Sequence, residues 1–337
     1  MAGCGTKRRL VVVTLAITTC CSNALRIAIT GTNSGIGQSA AQILLAQGHV
    51  VYHACRDAKA AEDAVALAGG GIPMVCDLAD LSSVRSFADS MCELEPLDVL
   101  CLNAGVSPSR KAEAPQRTKE GFEATIGINH LGHFVLANLL RRNLASNAKV
   151  IVTASGVHDP ASPGGLVGGN PATGATLGDL SGLKTGAIMI DGSSKYCGAK
   201  AYHDSKLCNV LFAREAHRRW GDSLIVRSFN PGLITSTGLF RAAREDNFLS
   251  AALFSFVATN LAGFSVPVQV GGARLAYCAT ASADEVPSGS YLSAPNAKSQ
   301  ATTRADGFGD AAVSKEARND DLATRLWERS ALEAGLV

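Results

Sequence analysis

Short apolar runs alternate along this chain with longer amphipathic stretches, and Gly, Pro, Asn or Asp punctuates the junctions. That alternation predicts strands and helices in turn. Leu25 to Ile29 reads as a first strand, and Gln38 to Gln47 as a helix stopped by Gly48. His49 to Ala54, Ile72 to Cys76, Leu97 to Leu102 and Lys149 to Thr153 read as further strands. Helices are expected from Leu81 to about Glu93 and across the long stretch Gly121 to Asn143. After an irregular region from Gly156 to about Lys195, a helix runs to about Trp220 and a strand follows from Leu224 to Phe229. Ser290 to Ser293 reads as a last strand and Ser314 to Ala334 as a closing helix. Strands alternating with helices predict an α/β fold, a doubly wound parallel sheet of the Rossmann type covered on both faces.

The polar residues fall where such a sheet binds ligands, at the C-terminal ends of its strands. The first strand runs into Thr30-Gly31-Thr32-Asn33-Ser34-Gly35-Ile36-Gly37 and then a helix. Glycines there permit a tight turn and let backbone approach a pyrophosphate at the helix N-terminus, where free N–H groups and the helix dipole favour anions. The second strand ends at Arg56, where an acidic residue would favour NAD; a guanidinium suits the 2′-phosphate of NADP(H). Lys59 adds charge nearby. Tyr202 and Lys206 stand four residues apart and so share a helix face. The ammonium is expected to favour the phenolate and bring the Tyr into use as an acid or base near neutral pH.

Composition changes this picture little. The chain has 337 residues, is 47% apolar, and carries a net charge of +2. Near-neutrality gives no argument for nucleic acid. Its ten Cys residues are scattered without metal-ligand spacing and read as buried thiols. His130 and His133 lie near one helix face with no third ligand in view, so they read as structural and no metal is expected. The N-terminus stands apart. Lys7-Arg8-Arg9, the apolar run Leu10 to Ile17 and small residues up to Ala24 describe a signal or targeting segment over 1–24, too short to cross a bilayer. Residues 25–337 then form one nucleotide-binding domain.

The ordered set TGxxxGxG, Asn103-Ala104-Gly105, Asn129, Ser155, Tyr202-xxx-Lys206 and Pro231-Gly232 resembles the short-chain dehydrogenase/reductase family over nearly all the chain after Leu25. The resemblance implies NADP(H) bound by Gly31, Asn33, Ser34, Gly35, Ile36, Gly37 and Arg56, with Asp77 and Leu78 at the adenine. Asn103, Ala104 and Gly105, with Pro231 and Gly232, would line the cofactor. It implies Tyr202 as proton donor, Lys206 lowering its pKa and holding the ribose, Ser155 on a substrate oxygen, and Asn129 supporting a water that leads to Lys206. Within the family, Asn129-His130-Leu131-Gly132-His133-Phe134, Gly178-Asp179-Leu180-Ser181-Gly182-Leu183 and Ala201 to Asn209 are similar to the light-dependent protochlorophyllide reductases. That branch implies protochlorophyllide as substrate, a plastid location, and room for peripheral membrane association and homo-oligomers. The signal-like start fits a secondary plastid, or alternatively the endoplasmic reticulum. The Gly156–Lys195 insertion and the Phe-rich segment after Leu233 are expected to choose the substrate.

Two residues depart from the branch. Leu233 stands where it has a Cys, and Ser155 where it commonly has Thr. Leu can neither donate nor accept a proton. A light-independent carbonyl or retinoid-type reductase is therefore the alternative reading, and a non-catalytic pigment or nucleotide carrier a second one. The intact Asn129, Ser155, Tyr202 and Lys206 set argues against the carrier.

Overall fold

The computed structural model describes residues 24–109, 111–162, 174–234, 265–296 and 298–337. The apolar runs become strands β1 (Arg26–Thr30), β2 (Val50–Cys55), β3 (Ile72–Val75), β4 (Leu97–Leu102), β5 (Leu144–Thr153), β6 (Ile225–Phe229) and β7 (Tyr291–Ser293). With β8 (Gly309–Asp310) they form one sheet in the order β3-β2-β1-β4-β5-β6-β7-β8. The β7–β8 pairing is antiparallel and the other pairings are parallel. Strand order reverses between β1 and β4, so the crevice that binds ligands in such sheets opens beyond Thr30 and Leu102.

Side-chain alternation divides the core in two. Ala28, Leu100, Leu102, Val150 and Val152 face one layer, while Ile27, Ile29, Val99, Cys101 and Ile151 face the other. The first layer packs against α3 (Leu81–Cys92), α4 (His133–Leu140), α5 (Gly198–Trp220) and α7 (Asp320–Glu333). The second packs against α1 (Gly35–Ala46) and α6 (Val268–Thr280). Helix α2 (Ala58–Ala68) closes a small cluster with Cys55. The described cysteines are all free; Cys55, Cys76, Cys101, Cys208 and Cys278 are buried as expected, while Cys92 and Cys197 are only partly so.

Sequence pattern misses α2, α6 and β8. Helix α6 carries Gly271-Gly272 at its centre, a pair that lowers helix propensity. Packing overrides that cost: a Cβ on Gly272 would lie 2.3 Å from Ser39 Oγ and 2.9 Å from Ala40 N of α1. The pair lets two helices touch through backbone. The stretch expected as one helix over 121–143 is broken. A turn at Ala124–Ile126 leads into a π-turn, Gly127–Gly132, before α4. The closing helix begins at Asp320 rather than Ser314, after a 3-10 turn at Glu316–Arg318. Residues 1–23 and the Phe-rich stretch 239–264 lie outside the described residues.

The π-turn buries His130, and His133 is buried at the start of α4. His130 Nε2 pairs with the Ser330 hydroxyl at 2.8 Å, and burial lowers its pKa to about 3. Burial likewise brings His133 to about 4. Both rings are neutral when folded but accept protons readily once unfolded, so stability present at neutral pH is lost as pH falls below the free histidine value. Replacing His130 by Phe, beside Phe134 and Phe212, should make the loss below pH ~6.5 shallower by up to about 1.36 kcal/mol per pH unit. Urea unfolding at stepped pH measures this, and equal slopes in the two proteins would refute it.

Candidate functional site

The glycine-rich turn is held by contacts that leave no room for side chains. Gly31 and Gly35 take φ of +72° and +61°, values that favour glycine. A Cβ on Gly37 would stand 2.3 Å from the Gly31 carbonyl and 2.6 Å from Asn103 Nδ2. Ser34 makes no side-chain cap to α1, and the first turn of α1 carries no acidic residue. The N-terminal N–H groups of that helix thus point beyond the strand ends without a capping side chain, the donor set a pyrophosphate needs. Asn33, Arg56, Asp57 and Lys59 line one open depression beside it. Arg56 is exposed and donates from Nε to Asp57 at 3.1 Å. Asp57 also caps α2 by accepting from Ala60 N at 2.8 Å. This places a cation next to the turn, where a 2′-phosphate would lie.

One hydroxyl ties the strand ends together. Thr30 Oγ1 accepts from the backbone N–H of Asn103 at 2.9 Å and of Ala104 at 3.0 Å. Asn103 Nδ2 donates back to the Thr30 carbonyl at 2.9 Å. His133 Nδ1 lies 3.1 Å from the Asn129 carbonyl, which can only accept, so Nδ1 carries the ring proton. His133 Nε2 is then the acceptor for Thr30 Oγ1 at 2.9 Å. Asn129 also clamps the loop after β4. Its Oδ1 accepts from Val106 N at 2.8 Å, and its Nδ2 donates to the Val106 carbonyl at 2.9 Å and to Ser205 Oγ at 3.0 Å. Asn129 therefore fixes the spacing between the Asn103–Gly105 turn and α5. Asp77 is occupied locally, accepting from Ala79 N at 3.0 Å, and the Leu78 carbonyl would lie 2.7 Å from a Cβ on Gly132.

Ser155, Tyr202 and Lys206 meet at the end of β5. Ser155 begins a 3-10 turn at Gly156–His158, and its hydroxyl neighbours the Tyr202 phenol and favours its ionised form. Lys206 Nζ donates to the Thr153 carbonyl at 3.1 Å and lies 5.7 Å from the Tyr202 ring centre. Burial dominates both pKa values. It drives the Tyr202 phenol upward, opposed by the Ser155 hydroxyl, and lowers Lys206 to about 8. The expected pull of Lys206 toward a phenolate is therefore outweighed. Tyr202 is a neutral O–H at pH 7, as a phenol of ordinary pKa (~10) already is, and Lys206 is still mostly charged there.

Pro231 and Gly232 follow β6, and the residue that fixes them is one that sequence reasoning passed over. Arg274 of α6 is buried, and its guanidinium donates to the carbonyls of Pro231 at 2.9 Å, Ala301 at 2.7 Å and Ser299 at 2.8 Å. Its signal, a charge inside an apolar helix, was masked by the missed helix. Gly232 takes φ of +91°, and a Cβ there would meet Arg274 Nη1 at 2.8 Å. Leu233, half-buried, bridges to Ser265.

The described part of the insertion does not cover Tyr202. Lys200 and Asp204 lie two residues before and after Tyr202, about 200° around the helix from it. They hold Thr176: its carbonyl accepts from Lys200 Nζ at 2.8 Å, and its N–H donates to Asp204 at 3.0 Å. Arg117 and Arg329 donate to carbonyls of Ala187 and Leu183 in the same stretch. Residues 174–192 thus brace the face of α5 opposite Tyr202. Residues 163–173 lie outside the described residues.

A model of the short chain dehydrogenase family matches residues 26–167. The chain is 43% identical over 235 residues to a protochlorophyllide reductase of Avena sativa, a match covering 64% of this chain and 73% of that protein. It is 37% identical over 329 residues to the chloroplastic protochlorophyllide reductase A of Arabidopsis thaliana, covering 92% of this chain and 77% of that one. A crystal structure from Mycobacterium paratuberculosis superposes with a TM-score of 0.64 at 27% identity, over 92% of this chain and 93% of that one.

The close contact at Gly37 makes a direct test. Gly37→Ala should weaken NADPH binding at least tenfold, read by quenching or enhancement of the nicotinamide fluorescence, while leaving a folded protein. Unchanged affinity would show that the turn is not the dinucleotide cradle.

Proposed function

Because the chain belongs to the short-chain dehydrogenase family, we propose that it is an NADPH-dependent reductase of the protochlorophyllide reductase kind. The glycine turn, the α1 N-terminus and Arg56 fit the dinucleotide, whose bound nicotinamide supplies a hydride. The observation that carries the reading is the meeting of Ser155, Tyr202 and a buried Lys206 at the end of β5, one strand from the point where the strand order reverses.

Each residue then has a physical task. Tyr202, a neutral phenol at pH 7, gives its phenolic proton to the substrate carbon next to the one that takes the hydride. The pair of additions reduces one ring double bond of the tetrapyrrole, and the phenolate left on Tyr202 is reprotonated from solvent. Ser155 fixes the direction of the phenol and offers a hydrogen bond to a substrate oxygen. Lys206, anchored on the Thr153 carbonyl, uses its remaining N–H donors on the nicotinamide ribose and favours the transient phenolate by its charge. Asn129 holds the Asn103–Gly105 turn and α5 at the spacing the nicotinamide needs. Its carbonyl, already accepting from His133, keeps a lone pair for a water leading to Lys206. Relatives of the chloroplast support a plastid location for this protein too.

Leu233 favours a second reading. A half-buried leucine sits where the branch carries a thiol, and Ser155 can orient a carbonyl oxygen beside Tyr202. The alternative product is an alcohol made in the dark. Illuminating the purified protein with NADPH and protochlorophyllide decides between them. We expect the absorbance band of chlorophyllide to grow with light dose. No band, together with dark NADPH oxidation by aldehydes or ketones, would replace the first reading with the second; tight pigment binding without product in either condition would make the protein a carrier.

A further inference from the structure

One hydrogen-bond chain leaves Ser155 and another leaves the face of α5 opposite Tyr202, and both end on the same turn near the C terminus. The first starts at the Ser155 carbonyl, which lies 2.7 Å from His158 Nδ1. A carbonyl only accepts, so Nδ1 carries the proton and Nε2 is left to accept from Ser314 N at 3.3 Å. His158 is 1% exposed, and the Tyr291 ring meets it edge-on at 5.1 Å. One tautomer satisfies both ends. The second chain starts on α5 around Tyr202. Lys200 Nζ and Asp204 pair at 2.7 Å, with Asp191 at 3.1 Å, and both grip the backbone of Thr176. The Glu316 carboxylate then accepts from Leu177 N at 2.9 Å and from Thr176 Oγ1 at 3.4 Å. Ser314 and Glu316 are two residues apart, and Ser314 Oγ accepts from Ala317 N at 3.1 Å, which closes the turn that carries both.

We propose that the turn at 314–317 is a positioning brace for the two reacting hydroxyls, with His158 as its arm to Ser155 and Glu316, through Thr176 and Asp204, as its arm to Tyr202. Ser155 comes from the end of β5 and Tyr202 from the middle of α5, and these are separate elements. Their two hydroxyls act together only if both elements are placed closely, and a misplacement of about 1 Å at a reacting centre can cost ~10²-fold in rate. The turn is a firm reference point. Helix α7 follows it directly and seats Trp327 among Phe134, Phe212 and Trp220 at ring-centre distances of 5.0, 5.7 and 5.1 Å. The brace touches neither cofactor nor substrate. It acts through Ser155 and Tyr202, and rests on the proposed function only in taking those two as the reacting groups.

The test reads the Tyr202 phenol itself and needs no turnover. In protein labelled with [ζ-13C]tyrosine, the Tyr202 signal is the one absent from Tyr202→Phe, and Ser155→Ala gives its position when the Ser155 hydroxyl is lost. His158→Leu and Glu316→Ala should each move the signal toward the Ser155→Ala position. Glu316→Gln, which keeps an accepting oxygen for Leu177 N, should restore it, and Lys315→Ala, at an exposed site of the same turn, should leave it in place. With whichever substrate the enzyme turns over, in light or in the dark, kcat should fall roughly tenfold in the two disruptive variants while KM for NADPH stays within about twofold. A signal unmoved in both disruptive variants overturns the brace. If His158→Leu does not fold, Glu316→Ala, which removes a half-buried carboxylate, decides alone. Failure of the photoreaction leaves this spectral result standing, so the two proposals fail separately.

Discussion

The hydroxyl of Thr30 is the contact on which the site depends. It accepts two backbone N–H groups from the end of β4 and donates to His133, whose other nitrogen holds the carbonyl of Asn129. Three strand-end or helix segments are thereby fixed to one atom at the reversal point of the sheet. Each donor has an acceptor, and the tautomer of His133 follows from the geometry. In a buried setting this matters more than the energy of any one bond, because a half-satisfied polar network is costlier than an apolar core. Acid attacks it from the same side: protonating His133 turns its Thr30-facing acceptor into a donor.

Burial sets the chemistry of the pair at the centre. Desolvation raises Tyr202 and lowers Lys206, so the two values move in opposite senses for one reason, removal from water. The result is a neutral phenol next to an ammonium that is charged at pH 7 and within about one unit of releasing its proton. In the proposed reaction the ammonium favours the phenolate only while it exists, and solvent returns the proton.

Much of this was legible in the sequence because it depends on local pattern. The glycine turn, the strand ends carrying Asn103, Ser155 and Pro231, and the Tyr202–Lys206 spacing all follow from short-range rules, and the fold from strand and helix alternation. What escaped depends on long-range packing. Helix α6 hides behind Gly271-Gly272, whose small size is explained only by contact with Ser39 of α1. Arg274 was lost with it. The insertion looked like a substrate cover from its length and its glycines. Its described part packs behind α5, where Lys200 and Asp204 face away from Tyr202, and only the hydrogen bonds to Thr176 reveal that. The direction of the Tyr202 shift also required knowing how deeply the phenol is buried.

The central claim is that Tyr202, a neutral phenol beside Ser155 and Lys206, delivers the proton. Single-turnover reduction followed after a laser pulse or rapid mixing, in H2O and in D2O, measures that step alone. The account predicts a solvent isotope effect on the native protein and a proton-transfer rate lower by about 10²–10⁴-fold in Tyr202→Phe, with NADPH still bound. An unchanged rate and isotope effect in Tyr202→Phe would contradict it and assign the proton to another group.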